Sequence, residues 1–320
     1  PDLLVINGDF VDEGSPADLQ LAQQILTEEV GDKIPYVYVP GNHEIMGGKI
    51  SNFTDVFGPA ATHRDLGSTK IITLDSSSGT LHPGGSTEQL QMLQEQLADA
   101  AADPGITGVL IFNHHPVDDP QPDKASQLGD RHEATALARL LSDFSSRTGK
   151  AAAQLNGHVG IFYADAADGV TRVINGNSGK TPSGTAAQGG FTGWTMLGID
   201  PRKGRIGKVP RPGARLDWLR VETRARVDDL ELEALKKLAV GQIAEVAATL
   251  TQDGDRRVPV GWPVSARWSG EHVRIGDGRR GREVLAFDAA TGKLTALRTG
   301  SASLSVTVNG VTSTAAITVS

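Results

Sequence analysis

Hydrophobic and polar positions change rhythm along this chain. Short apolar runs at Leu3 to Asn7, Tyr36 to Val39, Lys70 to Asp75, Val109 to Phe112 and Ala151 to Leu155 have strand length and are bounded by turn-forming residues, so they read as buried strands. Segments with helical spacing lie between them. Ala17 to Val30 follows Ser15-Pro16, a capping residue with proline at the first helical position. Ser86 and Gln89 suggest a capping box for a helix that ends near Ala101, and His132 to Phe144 places Leu137, Leu140 and Leu141 on one face. Two more strands, Val170 to Asn175 and Trp194 to Ile199, follow without helices. The alternation predicts an α/β domain.

After Asp200 the pattern changes. Pro201 to Pro212 is basic and rich in proline and glycine. Beyond it, Glu222 to Glu231, Ala244 to Leu250 and Leu304 to Val308 alternate or run β-branched between Gly and Asp turns. In "VTVNGVTSTAAITV" the Asn309-Gly310 pair suits a tight type I′ hairpin. The expected organisation is an α/β domain over residues 1–212 and a small all-β sandwich over 222–320.

Composition narrows the chemistry. With no cysteine in 320 residues, disulfides, thiolate-zinc sites and cysteine nucleophiles are excluded. The net charge of -7 and the lack of a dense Lys/Arg run disfavour nucleic acid as the main partner. No apolar stretch approaches the roughly 20 residues of a membrane-spanning helix. The chain begins almost directly in a strand with no initiator Met, so it is expected to be a piece of something longer.

Four short stretches place metal-competent side chains directly after or near strand ends: "NGDFVDEG", "VPGNHE", "FNHHP" and "NGHVG". In α/β folds function concentrates there. A lone histidine after a strand is usually just a satisfied polar residue, but four of the eight histidines fall in these turns, which reverses that reading. With Cys absent, the Asp, Asn and His donors suit Zn, Mn or Fe.

GDxxD, GNHE, HHP and a GH turn, in that order, resemble the calcineurin-like metallophosphoesterases over residues 1 to 200. The resemblance implies a four-layer αββα sandwich of two mixed sheets flanked by helices. It implies two divalent metal ions that hydrolyse a phosphate mono- or diester through a metal-bound hydroxide. Carried over residue by residue, Asp9 bridges both metals, and Asn42, His114 and His158 complete the second. His43 stands over the leaving group as acid or charge stabiliser, oriented by Asp12 in an Asp-His dyad. His115 is a neighbour near the substrate or a packing residue, Glu44 is structural, and Asn177, in a Gly/Asn-rich turn, contacts a phosphate.

Two departures matter. The family's Asp-x-His motif does not occur before Asp9 and is expected upstream. Where the pattern has GHxH this chain has Gly160, so the first metal keeps Asp9 alone and its site is left incomplete, with His82 or His63 as candidate substitutes.

The tail resembles the bacterial Ig-like domains of group 2 through "LAVGQ", "ARWSG", "TGKLTALRTGSASLSV" and "VNGVTSTAAITV". This implies an extracellular or cell-envelope location in a bacterium and contact with a cell-wall or surface glycan; Trp262 and Trp268 are expected in the sandwich core. The leading reading is hydrolysis of a phosphorylated small molecule or phosphodiester. The alternative, motivated by Gly160, is a degenerate phosphoesterase fold serving as a binding or adhesion module.

Overall fold

In the computed structural model, which describes residues 1–200, 218–276 and 281–320, the α/β part is layered as its apolar periodicities require. β1 (Leu4–Asn7) leads through α1 (Pro16–Glu29) to β2 (Tyr36–Val39), which pairs parallel to β1. The Ser15 hydroxyl accepts from the Asp18 N–H at 3.1 Å, the expected cap, with Pro16 behind it. α2 (Ile50–Phe57) follows. Its eight residues are too few for periodicity to announce, and Phe53 anchors it against Leu19, Leu26 and Tyr38.

A second sheet is formed by β3 (Thr62–Leu66), β4 (Thr69–Thr73), β5 (Gly108–Phe112), β6 (Ala151–Asn156), β7 (Tyr163–Ala167) and β8 (Val170–Ile174). Its order is β3-β4-β5-β6-β8-β7, parallel in the centre with antiparallel edges. α3 (Glu88–Ala102) and α4 (Arg131–Thr148) cover its outer face through Leu93, Leu97, Leu137, Leu141 and Phe144. Val39, Leu110, Phe112, Leu155 and Val173 fill the space between the two sheets. Helices, sheet, sheet and helices follow in four layers, although the first sheet is, among the described residues, a two-stranded parallel pair and not the expected mixed sheet. The expected capping box does not form: Gln89 instead donates to the carbonyls of Asp75 and Leu81, and Thr87 takes the cap position without a side-chain bond.

β9 (Gly193–Ile199) and β10 (Leu219–Ala225) form a two-stranded ribbon. The chain divides into two compact units, Pro1–Gly176 with Leu197–Val221, and Asn177–Met196 with Glu222–Ser320. The stretch read as a linker, 201–212, lies outside the described residues.

The second unit is all-β. One four-stranded sheet contains Gly300–Val308 and Val311–Val319, another contains Leu285–Asp288 and Lys293–Ala296, and a three-stranded sheet contains Ala247–Gln252. Leu304 and Ile317 share a core with Leu285, Phe287 and Leu294. Asn309 and Gly310 have φ of 44° and 88°, the two positive values a type I′ turn needs. Trp268 packs on Phe287 as expected, but Trp262 is 66% exposed and is not core. No helix among the described residues is long and apolar enough to cross a membrane.

Candidate metal centre

The four motif turns meet at one end of the first unit. Asp9 follows β1 with φ 56°, and its carboxylate accepts the His43 N–H at 3.2 Å. Two glycines permit this approach. A Cβ on Gly41 would lie 2.4 Å from Asp9 Oδ1, and one on Gly8 would lie 2.2 Å from His114 Nδ1. Glu44, fully buried, organises the loop from beneath. Its carboxylate accepts from the N–H groups of Asp9 at 2.9 Å, Gly41 at 2.6 Å and Phe10 at 2.8 Å, and from the Tyr38 hydroxyl at 2.6 Å. The phenol is held far above its ordinary pKa by burial and by this carboxylate, so it remains a donor.

His114 is 1% exposed. Its Nδ1 lies 2.8 Å from the Asn7 carbonyl, and because a carbonyl only accepts, Nδ1 carries the proton. Nε2 then faces Asp9 Oδ1 at 3.2 Å and His158 Nδ1 at 3.2 Å. Such a convergence on a carboxylate calls for positive charge, supplied either by a proton on His114 Nε2 or by a bound cation. Asp9, His114 and His158 offer ligand atoms all within 4.8 Å of one another, and Asn42 Oδ1 is buried with no hydrogen-bond partner. This donor set, oriented by its neighbours and left with an orphaned acceptor, fits a divalent metal ion.

The electrostatics agree. Burial alone would raise the Asp9 carboxyl, but in the metal-free protein the hydrogen bond and charge of a protonated His114, with the His43 N–H and imidazole, outweigh it and hold Asp9 well below the usual carboxylate range, a role a bound cation would take over. Burial, then the His114 charge, pushes His158 down to about 4. Burial, then the charges of His158 and His114, pushes His115 down to about 3. These two imidazoles are therefore neutral near pH 7, as metal ligation demands of His158.

Several expectations need correction. His43 Nδ1 does lean on Asp12, but on its main-chain carbonyl at 2.8 Å; the Asp12 carboxylate is 3.8 Å away and 98% exposed, so it does not form the expected dyad. Of the two readings of His115, the packing residue fits: it is 5% exposed, with its ring centroid 4.0 Å from that of His158. Asn177 belongs to the second unit, where its amide donates to the Thr181 carbonyl at 2.9 Å. Gly160 has φ 75°, and neither candidate substitute joins Asp9: His82 Nδ1 pairs with Glu133, and His63 lies on edge strand β3. Glu44, read as structural from the sequence, is the hub of the loop; motif reading missed a set of buried amides behind the two histidine turns, for which Gln154 and Asn156 in a largely apolar strand were the available signal.

Fold and site together define an α/β domain with a candidate metal-binding group at its strand ends. Residues 1–161, just over half of the chain, match the calcineurin-like phosphoesterase family, and the chain belongs to that family. A Rhodococcus erythropolis protein described as "Probable cyclic nucleotide phosphodiesterase" is 32% identical over 127 residues, which are 36% of this chain and 39% of that protein. A glycerophosphodiester phosphodiesterase of Enterobacter lignolyticus is 29% identical over 130 residues, 36% of this chain and 42% of that protein. The chain thus spans about two fifths of the length of these relatives. Among solved structures, a dimetal phosphatase from Danio rerio overlaps 55% of this chain and 72% of its own at 15% identity with a TM-score of 0.43. A purple acid phosphatase from yellow lupin overlaps 99% of this chain and 46% of its own at 11% identity with a TM-score of 0.42.

Proposed function

We propose that the protein hydrolyses a phosphodiester with the help of divalent cations, of the Zn, Mn or Fe kind, held by Asp9, Asn42, His114 and His158. The observation that carries this reading is the convergence of Asp9 Oδ1, His114 Nε2 and His158 Nδ1, with His114 Nδ1 tied to the Asn7 carbonyl. Bound cations supply the positive charge that draws phosphoryl oxygens and makes water acidic enough to react near neutrality. Asp9 is the ionised ligand. His158 is neutral near pH 7, His114 would offer Nε2 with its Nδ1 proton held by the Asn7 carbonyl, and Gly8 and Gly41 let the loops close around them. His43, its Nδ1–H donated to the Asp12 carbonyl, would when protonated give its Nε2 proton to the departing alkoxide, which leaves as the alcohol. Both named relatives are phosphodiesterases, which supports a diester over a monoester.

The test is hydrolysis of bis(p-nitrophenyl) phosphate against p-nitrophenyl phosphate by chelator-stripped protein, with and without Mn²⁺, in wild type and Asp9→Asn. Cation-dependent cleavage of the diester that disappears in the variant supports the reading. Cation binding with no cleavage of either ester sinks it and favours the second reading, a degenerate binding module, for which Gly160 is the motivating residue. We further propose that the all-β unit is an Ig-like module that holds the enzyme outside the cell or in the envelope of a bacterium, against a wall or surface glycan. The hairpin at Asn309-Gly310 and the two four-stranded sheets sharing one core support it. Cell fractionation that leaves the full-length protein in the cytoplasm would overturn the location.

A further inference from the structure

The two turns that carry the paired imidazoles are fastened by buried amides that no metal ligation or capping demands. Asn156 ends β6, two residues before His158, and is 2% exposed. Its Nδ2 donates to the carbonyl of Asn113 at 2.7 Å and to that of His115 at 3.3 Å. Those two carbonyls bracket His114. One side chain on the His158 turn thus grips a carbonyl on each side of the other ligand. Behind it, Asn113, fully buried, donates through its own amide to the His115 carbonyl at 2.5 Å and accepts Gln154 Nε2 at 3.0 Å. Main-chain bonds run alongside, from Gly157 N–H to the His114 carbonyl at 2.9 Å and from Asn113 N–H to the Leu155 carbonyl at 3.3 Å. His158 itself sits at φ 63°, a conformation a non-glycine residue keeps only when its surroundings impose it.

Buried amides are unfavourable unless every donor finds an acceptor, and an apolar residue at 154 or 156 would serve a strand at least as well. Their placement at the two ligand turns is what needs explaining. We propose that Asn156, held in a network with Asn113 and Gln154, is a positioning residue that sets divalent-cation affinity by fixing His158 against His114. This rests on the metal-centre reading above. It acts as hydrogen-bonded partners of metal ligands generally do, by removing the rearrangement that ligation would otherwise require.

The experiment is competition for Mn²⁺ between the protein and a fluorescent chelator, with thermal denaturation in EDTA run beside it. The variants are Asn156→Leu, Gln154→Leu and, as control, Gln96→Leu. Gln96 is a buried amide on α3 that accepts from Lys70 at 3.2 Å, away from both turns. Asn156→Leu is expected to weaken Mn²⁺ binding about 10- to 100-fold and Gln154→Leu to weaken it less. Gln96→Leu should stay within about twofold of wild type even where its melting temperature falls as far. If Asn156→Leu does not fold, Gln154→Leu, which removes one bond only, decides. Affinities unchanged in both network variants, or lost equally in the control, overturn the role alone. A wild type that binds no Mn²⁺ overturns the role and the metal-centre reading together.

Discussion

Glu44→Gln is the perturbation whose size the structure sets most directly. The carboxylate accepts four close bonds: Oε2 takes the Asp9 and Gly41 N–H groups, Oε1 the Phe10 N–H and the Tyr38 hydroxyl. The glutamine is nearly isosteric, but one of its ends becomes a donor. With the amide nitrogen in the Oε2 position, two main-chain N–H groups lose their acceptor. In the Oε1 position the Tyr38 hydroxyl can turn and accept, but the Phe10 N–H and the longer Val11 N–H, 3.4 Å away, are orphaned. Each stranded buried donor costs about 1–3 kcal/mol. Removing a buried charge returns part of that, so a net loss of about 2–4 kcal/mol is expected. At about 2–4 °C per kcal/mol for a domain of this size, the first unit should melt about 4–16 °C lower. Differential scanning calorimetry of metal-free protein would read it, because separate units need not melt as one transition. Tyr38→Phe, which removes a single donor, should cost less than Glu44→Gln. A Glu44→Gln protein that melts within 1 °C of wild type would refute the account of how this loop is held.

Other outcomes follow from the same geometry. Asp9→Asn should weaken Mn²⁺ binding by more than the about 100-fold typical of partners one shell further out, read by the same chelator competition. Asp12→Ala should change kcat less than about threefold, because its main-chain carbonyl makes the 2.8 Å contact with His43 while the exposed carboxylate stays 3.8 Å away; a tenfold loss would restore the carboxylate to the mechanism. His115 and His158 have folded pKa values below that of a free histidine, so the unfolded chain binds more protons between pH 6.5 and about 4. Stability of metal-free protein should therefore be full above pH 6.5 and fall as the pH drops through that window, by up to about 1.4 kcal/mol per pH unit for each histidine. Denaturant midpoints at several pH values check this, and His115→Phe should flatten the slope; an unchanged slope would show that burial does not hold His115 neutral.

What the sequence made legible was whatever it stores in side-chain order. Apolar runs ending in Asp, Asn and His located both the strands and the metal centre, because a strand end is where a ligand side chain can leave the core. Three features were hidden for distinct physical reasons. His43 is oriented by a main-chain oxygen, which every residue possesses and no motif records. Gln89 looked like a capping residue because its spacing from Ser86 was right, yet tertiary acceptors at Asp75 and Leu81 claimed its amide. Asn177 lies in a turn that reads as continuous with β8, and only contacts distant in sequence assign it to the other unit. Conversely, Gln154 was visible as a polar break in a buried strand, but strand periodicity gives such a break no meaning until its partners are known.

Backbone strain shows where the chain gives up local comfort for the site. Six described non-glycine residues have positive φ: Asp9, His158, Asp168, Asp253, His272 and Asn309. Asp168, Asp253 and Asn309 each precede a glycine in a tight connection between paired strands, where positive φ is what the turn geometry asks for. Asp9 and His158 sit in no hairpin. Both are proposed metal ligands, and each strained residue of this kind costs on the order of 1–3 kcal/mol. Each is also restrained by a buried side chain from another part of the chain or from the same turn: Glu44 takes the Asp9 N–H, and Asn156 binds the His158 turn to the carbonyls around His114. Releasing either restraint lets the ligand relax toward an ordinary conformation, which relieves the fold locally while moving a donor atom away from its partners. Metal affinity should therefore be more sensitive than folding to changes at Asn156, whereas at Glu44, which also holds Gly41, Phe10 and Tyr38, both should fall together.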